Sequence, residues 1–400
     1  MNRDFVILII SLILWGIGEG SFFSFIPLYL QELGAKAFQI GGIMGGLSFA
    51  AMLCHLPAGY LADKLGRRTL IIASWAIGLV ATILMFLTKS LPLFMLSLFL
   101  YGATAFVLAP LNSYVAHAAP HGSLNRILTI ISASFNFGYM FGPLIGGFLG
   151  ETFGLRNLFL FAAILFLIST ILVFALRSQP ITPSPKGMAF FRSIFNLRFS
   201  GFVLVIALTI FATYLPQPLS PNYLQNQKLL PLTSIGFLFF VNGGGIVTFN
   251  LLLGTFAPLL GIFASQVLVM LFSLLLINTN TLPTFMLAFF ILGSYRAAHT
   301  VSVAQLRNYI QPESMGLAYG FAESVFALAM ILASFFAGYL YENNPTAMYS
   351  TSILLILVAL AFTLGFTFLT RSNAEKSTSK LNSADKQNEL SLPESEQTLS

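Results

Sequence analysis

Residues 59–70 read Gly59-Tyr60-Leu61-Ala62-Asp63-Lys64-Leu65-Gly66-Arg67-Arg68-Thr69-Leu70. This is a short polar break between two apolar runs of about twenty residues, each long enough to cross a bilayer. It holds one acid, Asp63, and three bases, Lys64, Arg67 and Arg68. Gly59 and Gly66 allow a tight turn or a close helix approach. Asp63 falls at the mouth of the following run, where a helix N-terminus favours a carboxylate. Bases in such a loop stay in the cytoplasm and hold the orientation of the hairpin.

Composition agrees with this reading. Of 400 residues, 57% are hydrophobic, 8% are charged and 42 are Phe. A soluble domain carries roughly 25% charged residues, so the chain is polytopic in a membrane. The net charge of +6 sits in loops on alternate sides of the apolar runs, which is a topology signal and not a nucleic-acid footprint. The single cysteine, Cys54, lies inside an apolar run, which excludes an intramolecular disulfide and a cysteine metal site. The start, Met1-Asn2-Arg3-Asp4, leads into an apolar segment read as an uncleaved first span.

Twelve spans are expected, at 5–30, 39–60, 69–88, 92–116, 126–150, 156–176, 199–222, 232–253, 258–278, 283–306, 315–340 and 347–370. The fold class is therefore an all-α membrane protein of twelve transmembrane helices in two six-helix bundles. Residues 1–176 form the first bundle, 177–198 a basic, Pro-containing cytoplasmic linker and 199–370 the second bundle. Residues 371–400 form a polar cytoplasmic tail too poor in apolar residues to fold. With the N-terminus inside, one side holds Arg3, Lys64, Arg67, Arg68, Arg126, Arg177, Lys186, Arg192, Arg198 and Arg307. The other side holds Lys36, Lys89, Arg156 and Lys228. Both termini are thus expected in the cytoplasm and the protein in the inner, or plasma, membrane.

The halves repeat. Pro27-Leu-Tyr-Leu-Gln31 recurs as Pro221-Asn-Tyr-Leu-Gln225, and Gly147-Phe-Leu-Gly-Glu151 as Gly338-Tyr-Leu-Tyr-Glu342. Gly59 to Gly66 recurs, without its charges, as Gly254 to Gly261. The order and the nearly constant offset indicate a duplicated six-span unit.

Gly-x-Leu-Ala-Asp-x-x-Gly-Arg-Arg between the second and third spans resembles the signature loop of the major facilitator superfamily. The fifth span ends Gly138-Tyr-Met-Phe-Gly142-Pro143-Leu-Ile-Gly146-Gly147. Its small residues four apart form a packing groove and Pro143 permits a bend. The same run resembles the antiporter-associated motif of drug–proton exchangers in that superfamily. The resemblance implies two bundles around a central cavity and alternating access by rocking. The chain departs from the family in the fourth span. There the family often carries an arginine tied to proton coupling, whereas Leu98-Phe-Leu-Tyr101-Gly102 has no base.

Ionisable residues inside spans are costly and usually functional. Counted from the cytoplasmic ends at about 1.5 Å per residue, Glu323 lies roughly 12 Å deep, Arg296 roughly 15 Å and Glu19 roughly 21 Å. Arg296 and Glu323, at similar depth on adjacent antiparallel spans, are expected to pair. Glu19 has no base on its own or the next span, and a buried carboxyl without one favours its neutral form. That suits a proton-coupling site. Trp15, one turn before Glu19, and His299, sharing a face with Arg296, are candidates for the cavity wall. Asn112 and Asn136 are further candidates; Asn242 and Gln266 bind a ligand or glue helices. His55 and His117 are read as interfacial and His121 as a loop residue.

There is no Gly-x-x-x-x-Gly-Lys-[Ser/Thr] loop and no zinc spacing of His and Cys. The sequence points to no enzyme activity, no cofactor, no metal and no nucleic-acid partner. The expected function is secondary active transport of a small organic solute, with proton-coupled efflux of drug-like or amphiphilic compounds leading. Its partners are that solute, protons and membrane lipid, and the working unit is a monomer. The rivals are an uptake symporter or facilitator for a sugar, nucleoside or other metabolite, and a membrane protein without transport activity.

Overall fold

In a computed structural model of the chain, backbone is described for residues 3–118, 124–179, 197–253, 255–306, 309 and 315–390. Of the residues singled out above, the side chains of His55, Gly59 and Asp63 lie outside the described residues. So do His121, Lys186, Arg192, Gly254 and Arg307 altogether, and with them 180–196 of the linker and the last ten residues of the tail. The described residues are helical, without strands. Among the described residues eleven helices are long and apolar enough to cross a membrane, and the shorter apolar helix Arg198–Tyr214 takes the place of the seventh span. Large apolar side chains such as Leu96, Ile171, Leu204 and Leu354 stand exposed, as a surface solvated by lipid requires.

The second span, Ala37–Leu65, and the third, Arg67–Leu87, are separated by Gly66 alone. Gly66 has φ +84°, a left-handed conformation that a side chain disfavours. That one residue turns the chain back on itself. The first span is interrupted. Helix Arg3–Phe23 gives way to the short helix Ile26–Glu32. The seventh repeats this as Leu197–Tyr214 and Ser220–Asn226. Both short helices carry proline in their first turn, where its missing N–H costs nothing. The fourth span passes through a 3₁₀ turn at Thr104–Val107 between Leu91–Ala103 and Leu108–Ala118. The tenth breaks at Gly293 between Leu282–Leu292 and Ser294–Leu306. The twelfth, Ala347–Leu390, runs well past the limit of 370 read from the sequence. Extending a formed helix needs no new nucleus, so a polar tail can continue one that it could not start.

Spans one to six pack around one another, as do seven to twelve. Each half holds a buried polar staple across three helices. In the first, the Ser11 and Ser169 hydroxyls lie 2.6 Å apart and the Trp75 indole donates to Ser169 at 2.8 Å. In the second, Gln266 donates to Thr209 at 2.7 Å and to Thr363 at 3.1 Å. Gln266 therefore glues helices.

The halves meet along two seams at the end opposite Gly66. The fifth span, Leu124–Phe153, lies on the eighth, Leu232–Leu253, and the eleventh, Met315–Asn343, lies on the second. A Cβ on Gly147 would strike the Leu232 carbonyl, and one on Gly236 the Pro143 carbonyl. On the other seam, a Cβ on Gly41 would strike the Ser334 carbonyl and one on Gly338 the Ala37 carbonyl. Side-chain-free residues let the four backbones touch. One turn beyond Gly147 and one turn beyond Gly338 a glutamate crosses the seam. Glu151 accepts from the Thr233 N–H at 2.8 Å and the Thr233 hydroxyl at 2.9 Å. Glu342 accepts from the Phe38 N–H at 2.9 Å. Each carboxylate caps the N-terminus of the facing helix, where the macrodipole favours it. Between the seams the two short helices meet. Asn222 donates to the Pro27 carbonyl at 3.1 Å and to the Gln31 side-chain oxygen at 2.6 Å, and Asn226 donates to the same oxygen at 2.9 Å.

A carboxylate on a helix N-terminus contributes about 0.3–1 kcal/mol. The double variant Glu151→Gln/Glu342→Gln should therefore shift the population several-fold toward a form opened at this end. Spin labels on the exposed loop residues Lys89 and Leu229 would read it as a gain in the long-distance component of their distance distribution. An unchanged distribution would show that the two caps do not hold the halves together.

Candidate functional site

Below the closed end, two adjoining cavities run between the helices toward the Gly66 end. The central one, about 510 Å³, lies between the halves and is lined by Pro27, Asn136, Tyr139, Tyr214, Asn242 and Arg296 among others. The second, about 710 Å³, lies within the first half and is lined by Trp15, Glu19, Trp75, Tyr101, Asn112 and Phe135 among others. Phe23, Met44, Ser48 and Tyr214 line both, so the chambers share a wall.

Glu19 stands on the first span near the end of its long helix. Its carboxyl faces the Tyr101 hydroxyl and the Trp15 indole. The Tyr101 hydroxyl is buried without a hydrogen bond of good geometry, so a small movement of either group would join them. Among the described residues Glu19 forms no ion pair. Trp15 stacks on Phe166, with ring centres 3.8 Å apart and planes 5° from parallel, and lies 5.1 Å from Trp75. It is mostly a packing residue with one edge on the cavity.

Arg296 follows the interruption in the tenth span. Gly293 packs backbone to backbone on Gly245 of the eighth span, and Arg296 begins the turn after it. Its side chain is open to the central cavity. The Tyr295 hydroxyl accepts from its Nε at 2.8 Å, and Tyr139 and Tyr214 lie within electrostatic reach. Tyr139 also lies within electrostatic reach of Glu19.

The expected pairing of Arg296 with Glu323 does not form. Glu323 instead meets His299, with Oε2 3.1 Å from Nε2. The reason is axial register. Three residues at about 1.5 Å each place His299 roughly 4.5 Å nearer the Gly66 end than Arg296, level with Glu323. Neither His299 nor Glu323 lines the two cavities. Asn136 lines the central cavity while donating to the Ser132 carbonyl, and Asn112 lines the other. Asn242 lines the central cavity while its amide donates to the Phe289 carbonyl, tying the eighth span to the tenth.

The fifth-span motif has a packing role. Gly138, Gly142 and Gly146 lie against the backbone of the first span, and Gly147 against the eighth. Pro143 lies inside the helix and lines the central cavity. In the signature loop Arg67 and Arg68 each donate a hydrogen bond within their own half. Arg68 donates to the Phe174 carbonyl at the end of the sixth span at 2.8 Å, a site the helix dipole favours. Arg67 donates to Gln179 at 3.4 Å. Asp63 and Gly59 lie outside the described side chains. Sequence reasoning missed Tyr139, Tyr214 and Tyr295, because tyrosine in an apolar span carries no signal of its own. It also missed the seam role of Glu151 and Glu342, although their repeat was visible.

Arg296 and Glu323, which do not touch, should give additive losses in thermal stability when neutralised together. His299 and Glu323 should be non-additive, with a coupling of about 0.2–1 kcal/mol as for other water-accessible pairs. A coupling between Arg296 and Glu323 that exceeds that of His299 and Glu323 would reverse this assignment.

The comparisons with known proteins accord with this architecture. The chain is 29% identical over 157 residues to an uncharacterized MFS-type transporter of Methanocaldococcus jannaschii, covering 39% of this chain and 41% of that protein. It is 27% identical over 188 residues to the quinolone resistance protein NorA of Staphylococcus aureus, covering 47% of this chain and 48% of that one. The chain thus matches less than half the length of these curated relatives. The crystal structure of the nucleoside transporter NupG superposes with a TM-score of 0.75 at 16% identity, over 92% of this chain and 99% of that one. That likeness shows the fold. The family model of the Major Facilitator Superfamily matches residues 8–293 and 204–394, so this chain belongs to the major facilitator superfamily of membrane transporters.

Proposed function

We propose that the protein is a secondary active transporter that expels drug-like or amphiphilic organic compounds in exchange for protons, by alternating access. The observation that carries this reading is Glu19, a carboxyl on the wall of an aromatic cavity with no basic partner among the described residues. Such a group gains or loses a proton according to what occupies the space beside it. Tyr101 stands beside it in the span where the family often has a base. The quinolone resistance protein NorA among the relatives supports an export role. With the basic loops in the cytoplasm, the closed end faces outward, the cavities face inward, and both termini are cytoplasmic. The cavities lie within a single chain, in accord with a working monomer in the plasma membrane.

In proteoliposomes carrying an imposed pH gradient, a panel of fluorescent amphiphiles of each charge type should include members that the wild-type protein concentrates. Glu19→Gln should abolish that accumulation while passive exchange of the same compound persists. Accumulation by the Gln variant that still follows the pH gradient would exclude Glu19 as the coupling carboxyl. Uptake from the outer side, driven by an inward proton gradient, would favour the symport alternative over efflux.

A further inference from the structure

We propose that Arg296 is the anion subsite of the central cavity, and that the transported compound is an organic monoanion with an apolar body. The inference rests on the reading of the cavity as a transport site and deepens it. A guanidinium within a membrane span normally has an acid beside it. Among the described residues none lies within ion-pair distance of Arg296. Its hydrogen-bond partner is the neutral Tyr295 hydroxyl, and the Tyr295 ring lies 5.5 Å from the guanidinium carbon. Tyr139 and Tyr214 complete the surroundings without adding charge. The remaining donors of the guanidinium fork are free to hold an anion brought in by the ligand.

The rest of the cavity narrows the class. Among the described residues Arg296 is the one basic group that lines either chamber. A single guanidinium matches a carboxylate or sulfonate in a two-point contact. A phosphate ester, carrying nearly two charges, would leave one uncompensated. Phe239, Phe289, Met44 and Met140 line the same chamber, so the ligand's body is apolar or aromatic. Glu19 belongs to the adjoining chamber, and Tyr139 lies within reach of both groups. The ligand's anionic group is therefore directed to the Arg296 side, away from the carboxyl.

The test uses the purified full chain and matched ligands on one skeleton. These are 4-phenylbutyrate, its neutral amide, 4-phenylbutylamine, the corresponding sulfonate and the phosphate ester of 4-phenylbutanol, joined by carboxylate–amide pairs on naphthyl and decyl skeletons. Binding is read by thermal shift and by equilibrium dialysis. Within at least one skeleton the carboxylate and the sulfonate should bind roughly tenfold or more tightly than the amide, amine or phosphate. Arg296→Gln should erase that preference while leaving the elution profile unchanged. Arg296→Lys, which keeps the charge but loses the fork, should retain part of it. Equal or tighter binding of the amine or amide, a preference for the phosphate, failure of every carboxylate to bind at millimolar concentration, or a carboxylate preference that survives Arg296→Gln would each overturn the proposal. These readings need no proton gradient. An anion preference without gradient-driven flux would leave the subsite standing and remove the proton-coupled reading, whereas flux confined to cations would do the reverse.

Discussion

Everything in the molecule depends on backbone touching backbone where no side chain stands between. Gly147 with Gly236, and Gly41 with Gly338, bring four spans into contact across the two halves. In lipid there is little hydrophobic gain from pressing helices together, so close packing and polar contacts must supply the attraction. The two glutamates add what glycine lacks. Each gives direction to a seam by capping the helix it meets. With that end drawn together, the helices splay toward Gly66, and the space between them becomes the pair of cavities.

The cavities separate two charges that would otherwise neutralise each other. Glu19 lines a chamber built within the first half, and Arg296 projects from the second half into the space between the halves. A buried ion pair would cost both groups their hydration for little net gain, and would leave nothing for a ligand to do. Placed on the walls of different chambers, acid and base remain available. Gly293, one turn before the base, packs backbone to backbone on the eighth span.

Much of this was legible from the chain and some was not. Length and apolarity of the spans, the turn at Gly66 and the oddity of Glu19 and Arg296 follow from local composition, because lipid penalises polar groups wherever they occur. The partner of Glu323 was not legible, because it depends on a register between neighbouring helices that differs by about one turn. The repeats at Pro27, Gly147 and Gly338 were visible as duplication. Their meaning lies in contacts between halves, and no periodicity within a span encodes those. Interruptions inside the first and seventh spans were signalled by Pro27 and Pro221, but an apolar run hides the change of direction that proline permits.

The two seams are copies of each other, and each combines a glycine contact with a glutamate cap. Two equivalent fastenings, one on either side of the axis, leave the opening motion a choice of pivot. If one seam parts first, the other serves as the axle, and the halves swing as a door does, with strain concentrated along one line. If both part together, the halves tilt evenly and the load is shared. Which route is taken depends on the difference in strength between the seams. Glu151 holds two donors and Glu342 one, while the second and eleventh spans share the wider packing, so one seam is firmer in its cap and the other in its contact.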